Sequence, residues 1–197
     1  METYPCKDKN RLEFGSILPD AAVTGSSHLK ILISGGTQKT YDLTRFRADF
    51  LPKMLEDDLY LGYYLHLIQD LFFRDFVYHR YHWDPRPSGN VEKLHNDYAL
   101  INRYVIEKYA LSNEIKIPTS FHKEPLNNLA DFAVEKFLDK INADFNNEPS
   151  GEIFFFTEKM ADEFIAHAAE GCRKELYALH HNFDCIDEMA MAWERLA

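Results

Sequence analysis

The sequence predicts a mainly α-helical protein, a single-domain bundle of about six helices with a short β-hairpin near residues 29–43. Three observations carry that expectation. Apolar residues recur at helical spacing through most of the 197-residue chain, as in Val91, Leu94, Tyr98, Ile101, Val105 and Tyr109. Strand-like, β-branched sequence is confined to one stretch, and no linker or internal repeat divides the chain, so residues 1–197 read as one helical domain. With 46% hydrophobic and 14% aromatic residues the chain can bury a sizeable core.

Taken in order, Leu12 to Asp20 reads as irregular, because Gly15 and Pro19 punctuate it and a residue before proline is pushed away from helix. Leu29-Lys30-Ile31-Leu32-Ile33, Gly35-Gly36 and Lys39-Thr40-Tyr41-Asp42-Leu43 read as a short hairpin. A short helix then runs from Leu43 through Phe46 and Phe50 to about Pro52. The central helix starts after Asp57-Asp58, whose carboxylates suit a helix N-terminus, and runs to about Tyr78. Pro85, Pro87 and Gly89 enforce a loop before the helix that starts at Val91 and ends near Leu111 to Asn113. Three more helices are expected, from Leu126 to about Asn142, from Ile153 to about Leu179 and from Cys185 to Leu196.

Charge and composition exclude several functions. The formal net charge of −10 argues against a nucleic-acid surface, since no basic cluster follows a phosphate backbone. The longest apolar run, Leu59 to Ile68, is about half of the ~20 residues that span a bilayer, so no transmembrane segment is expected. The polar N-terminus has no secretory pattern, and Cys6, Cys172 and Cys185 lack a CxxC pair, which fits reduced thiols and a cytoplasmic location. Neither a phosphate-loop motif nor a G-x-S-x-G elbow occurs.

The chemistry is concentrated in the central helix. His66 and Asp70 lie four positions apart within Leu59 to Phe73, so they share one helix face and can converge on one cation. Gln69, Arg74, Leu59, Tyr63, Phe73 and Val77 occupy the same sector, a mixture that suits a site between packed helices better than a solvated face. Two ligands are too few for zinc. Asp20 and His28, in an irregular stretch flanked by Leu18, Ala21, Ala22 and Leu29, are the best further pair.

These stretches, Gly15-Ser16-Ile17-Leu18-Pro19-Asp20, Ser27-His28 and Tyr60-Leu61-Gly62-Tyr63-Tyr64-Leu65-His66-Leu67-Ile68-Gln69-Asp70, resemble the zinc-dependent phospholipase C and S1/P1 nuclease-like family, especially its short bacterial members. The resemblance covers roughly residues 12 to 110. It implies a mainly helical fold, zinc or another divalent transition metal held by Asp20, His28, His66 and Asp70, and hydrolysis of a small phosphoester. Asp70 and Asp97 are then the candidate catalytic carboxylates, and His79, His95 and Arg74 the candidates for a second metal or a substrate contact. A full trinuclear site is not expected: no histidine precedes His28, and Ala99 stands where the later histidine motif of the family has its acidic ligand. The rival reading is a non-catalytic helical domain with a structural metal, working by protein interaction. A third, the HD-type phosphohydrolase, fails because none of the nine histidines is followed by aspartate.

Overall fold

The computed structural model describes residues 5–195. The chain is mainly α-helical: the described residues form six α-helices, one of them central, and a small three-stranded antiparallel sheet. The helices are α1 (Lys9–Ile17), α2 (Leu43–Glu56), α3 (Asp58–Arg74), α4 (Asn90–Lys108), α5 (Val134–Asn146) and α6 (Glu158–His181), and the strands are β1 (Lys30–Ile33), β2 (Gln38–Tyr41) and β3 (Trp193–Glu194).

Helix α3 is the organising element because its residues are apolar on nearly every side. Leu59 to Tyr64, Leu67, Ile68 and Leu71 are buried, and α1, α2 and α6 all pack on it. The Asp57 carboxylate caps its start by accepting the Leu59 N–H at 3.0 Å, and also pairs with Arg11 of α1. At its far end the chain stays helical through a π-helical turn, Asp75–Arg80, close to the boundary expected near Tyr78.

Helix α1 replaces the irregular stretch expected around Leu12 to Asp20. Asp8 caps it by accepting the Arg11 N–H at 3.1 Å, and Pro19 opens the following 3-10 turn, Leu18–Ala21, where a missing N–H costs nothing. Gly15 lies inside this helix because α1 crosses α3 backbone against backbone. A Cβ built on Gly15 would stand 2.2 Å from the Leu59 carbonyl oxygen, and one on Gly62 would stand 2.2 Å from that of Leu12. Only glycine at both positions allows this approach.

The hairpin forms as expected, with Lys30 opposite Tyr41 and Ile33 opposite Gln38. Helix α2 continues past Pro52 to Glu56, since stopping there would leave Met54, 1% exposed, out of the core. The expected helix from Leu126 begins only at Val134, after two 3-10 turns, Phe121–Lys123 and Pro125–Asn128. Helix α6 starts at Glu158, where Thr157 caps it, and runs to His181.

The helix expected from Cys185 to Leu196 does not form over the described residues, and Leu196 lies outside them. That segment is a strap. Glu188 accepts the Thr44 N–H at 2.8 Å and pairs with Arg47, its carbonyl accepts from Thr40 at 2.6 Å, and Trp193 joins the sheet as β3. Tertiary hydrogen bonds to α2 and β2 thus outweigh local helical periodicity.

Gly62→Ala is expected to destabilise the protein by about 3 kcal/mol, the cost of overpacking against a rigid backbone. Gly25→Ala, whose Cβ meets nothing within 4 Å, should stay within about 0.5 kcal/mol of wild type. Urea unfolding followed by circular dichroism checks both. Equal midpoints for the two variants would refute the close crossing.

Candidate metal centre

The α1–α3 crossing delivers the first parts of the site. It sets the Ser16 carbonyl at the C-terminal end of α1 2.8 Å from His66 Nδ1 on α3. A carbonyl can only accept, so His66 Nδ1 carries the proton and the Nε2 lone pair points away from α1. Burial lowers the His66 pKa below the ordinary histidine range, against the opposing pull of Asp20 and Asp70. The ring is therefore neutral at pH near ~7, the state a metal ligand needs.

Asp20 and His28 arrive on the stretch between α1 and β1. It is tied down at several points: Ala22 bridges to Phe132, the Val23 N–H donates to the Asp131 carbonyl at 2.8 Å, and Tyr63 of α3 donates to the Ser27 carbonyl at 2.6 Å. Ser27 Oγ lies 3.1 Å from His28 Nδ1, which turns His28 Nε2 toward the centre.

The donor atoms converge. His28 Nε2 is 3.2 Å from His66 Nε2 and 3.3 Å from Asp20 Oδ1, and His66 Nε2 is 3.8 Å from the same oxygen. Donors about 2.0–2.1 Å from a tetrahedral zinc stand about 3.3–3.4 Å apart, so two of the three separations match such an ion and the third, His66 Nε2 to Asp20 Oδ1 at 3.8 Å, is wider. Among the described residues this is the one group of three or more histidine, cysteine and carboxylate ligands gathered within 4.8 Å of one another. The histidine side chains are 12% and 15% exposed while Asp20 is 54% exposed, so the centre opens to solvent on the Asp20 side. Although partial burial acts the other way, the His28 hydrogen bond and the nearby His66 keep the Asp20 carboxyl below its ordinary pKa.

Asp70 stands beside this group. Its Oδ2 is 3.8 Å from His28 Nε2 and accepts the Tyr41 hydroxyl, and its Oδ1 lies 3.8 Å from Arg74 Nη2. Arg74 also donates from Nε to Tyr41 Oη at 3.4 Å and lies over the Trp193 ring. Tyr41 is fully buried, and burial together with Asp70 raises its pKa far above the ordinary phenol range, so it is a permanent donor to Asp70.

The remaining candidates lie elsewhere. The Asp97 carboxylate is fully buried and accepts the N–H groups of Phe154, Phe155 and Phe156 at 2.7 to 2.8 Å, so it anchors the segment before α6. His79 pairs with Asp75 at 2.9 Å on the π-helical turn, and His95 is exposed on α4 with its ring against Tyr98. Among the described residues no second set of metal ligands gathers around these three. Sequence reasoning missed Tyr41, Ser16 and Trp193. In sequence Tyr41 is only a member of the second hairpin strand, and a backbone carbonyl leaves no mark there.

The chain matches no protein-family model, no curated protein and no solved structure. Function is therefore read from this geometry and from the motif that led to it.

The Ser16 contact predicts that His66 in metal-free protein is neutral at about pH 7.5 and protonated on Nδ1. Long-range ¹H–¹⁵N correlation spectra report the tautomer directly. A proton found on Nε2 would contradict the arrangement.

Proposed function

We propose that Asp20, His28 and His66 hold a divalent transition metal, zinc in the first instance, and that the protein is a metal-dependent hydrolase of phosphoesters. The observation that carries this reading is the meeting of two imidazole Nε2 atoms at 3.2 Å beside a solvent-facing carboxylate. Three protein ligands with one open side are the arrangement of catalytic rather than structural zinc. The resemblance of the Gly15–Asp20, Ser27-His28 and Tyr60–Asp70 stretches to zinc-dependent phospholipase C and S1/P1 nuclease-like proteins supports the same conclusion.

When bound, zinc supplies Lewis acidity toward water and a phosphoryl oxygen. The chain supplies the rest. Asp70, oriented by Tyr41 and Arg74, accepts the proton of the attacking water. Arg74, 30% exposed at its side chain, presents its outer N–H groups to the phosphoryl oxygens, a role that suits a guanidinium. Trp193 packs under Arg74 and Tyr41 and keeps both in place.

A second reading has its own observation. Asp70 Oδ2 is 3.8 Å from His28 Nε2, so a small rotation makes it the fourth ligand of a closed, structural site, and the domain would then act through protein interaction.

Protein purified without a metal-affinity tag should carry about one zinc per chain by elemental analysis, as a single three-ligand site requires. His66→Ala should lower zinc affinity by more than ~100-fold, whereas Asp70→Asn should lower it only about 10–100-fold, the range for outer partners of a metal site. Phosphodiester and phosphomonoester turnover should vanish in both variants. Loss of zinc by Asp70→Asn equal to that of His66→Ala, with no turnover by wild type, would favour the structural reading. Absence of zinc from a folded, zinc-indifferent protein would remove both.

A further inference from the structure

The sheet beside the metal centre has one face whose register assembles an unusual set of residues. Side chains alternate along a strand and directly paired residues share a face. Lys30 is opposite Tyr41, Leu32 is opposite Lys39, and Lys39 is opposite Trp193. Lys30, Leu32, Lys39, Tyr41 and Trp193 therefore stand on one face. Tyr41 ties that face to the centre through Asp70, and Arg74 lies on it over the Trp193 ring at 5.9 Å.

Lys30, Lys39 and Arg74 thus converge on one wall, in a chain whose formal net charge is −10. Among the described residues neither lysine forms an ion pair, and Arg74 has only Asp70, at 3.8 Å. The carboxylates that face the wall, Asp70 and Asp20, belong to the centre itself. An isolated cationic wall in an acidic protein is the kind of field that gathers and selects anions.

We infer that Lys30 and Lys39, together with Arg74, form the wall that selects dianionic phosphomonoesters over monoanionic phosphodiesters. This inference rests on the reading of the centre as a phosphoester hydrolase and names its substrate class. The two phosphate types present the same phosphoryl group to the metal and to Arg74. They differ by one negative charge, and the two lysines are the residues placed to read that difference. Leu32, 54% exposed on the same face, offers apolar surface for the alcohol part of the ester.

The test is calorimetric and does not depend on turnover. Phenylphosphonate, a non-hydrolysable monoester mimic that is dianionic at about pH 8.5, is titrated against its monomethyl ester, a monoanion of nearly the same shape. Both are titrated into zinc-loaded and metal-free protein. Wild type should prefer the dianion by about tenfold or more, and each of Lys30→Ala and Lys39→Ala should reduce that preference by roughly two- to fivefold, the range for partly exposed charges. The double variant should lose most of the preference, and Lys30→Arg with Lys39→Arg should keep it. Equal binding of the two probes by wild type, or an unchanged preference in the double alanine variant, would overturn the inference. The two failures are separable: diester and monoester hydrolysis without a preference defeats this inference alone, whereas a lysine-dependent preference with neither zinc uptake nor hydrolysis defeats the hydrolase reading alone.

Discussion

The contact on which the structure depends is the crossing of α1 and α3 at Gly15 and Gly62, where a single Cβ on either helix would meet backbone oxygen at 2.2 Å. Everything at the centre is referenced to that approach. It brings the Ser16 carbonyl to His66 and so decides which imidazole nitrogen is free, and it sends the chain through the Leu18–Ala21 turn that carries Asp20. Successive turns of α3 each serve a different neighbour. Gly62 admits α1, Tyr63 holds the Ser27 carbonyl beside His28, Tyr64 reaches the buried Glu175 of α6, and His66 and Asp70 face the site. A helix buried on all sides can serve several neighbours at once, which a two-faced surface helix cannot.

Electrostatics bears directly on the proposal that this centre takes a cation. A neutral His66 with its Nδ1 proton committed to Ser16 turns a lone pair toward His28 Nε2 at 3.2 Å, and the Asp20 carboxylate adds negative charge to the same point. In the metal-free protein the His28 Nε2 proton holds these groups together, and a cation can take that proton's place. Asp70 is held instead by Tyr41 and Arg74. That difference in partners separates the three proposed ligands from the proposed base.

Much of this was legible in sequence, for physical reasons. The i, i+4 spacing of His66 and Asp70 and the apolar character of Leu59 to Phe73 identify the central helix and the face that carries the candidate site without tertiary information. The hairpin is legible because β-branched residues flank a Gly35-Gly36 turn. Legibility ends where long-range contacts override local pattern. Gly15 and Pro19 look like breakers, yet one is required by a helix crossing and the other opens a 3-10 turn, so α1 reads as loop. Residues from Cys185 onward have helical periodicity, yet Arg47, Thr40 and β2 draw them into a strap that turns at Glu188 and ends in β3. Asp97 has the composition of a site residue but serves three backbone N–H groups of the segment before α6, a role that no local spacing encodes.

The proposed function depends on one ion at one place, and anomalous scattering tests that most directly. Crystals of the full chain grown with zinc, with data collected on both sides of the zinc absorption edge, should show one strong anomalous peak about 2.0–2.2 Å from Asp20, His28 Nε2 and His66 Nε2. Asp70 should remain hydrogen-bonded to Tyr41, with the open side of the ion toward solvent. A map with no peak among these three residues, or with its peak at His79 instead, would contradict the proposed centre.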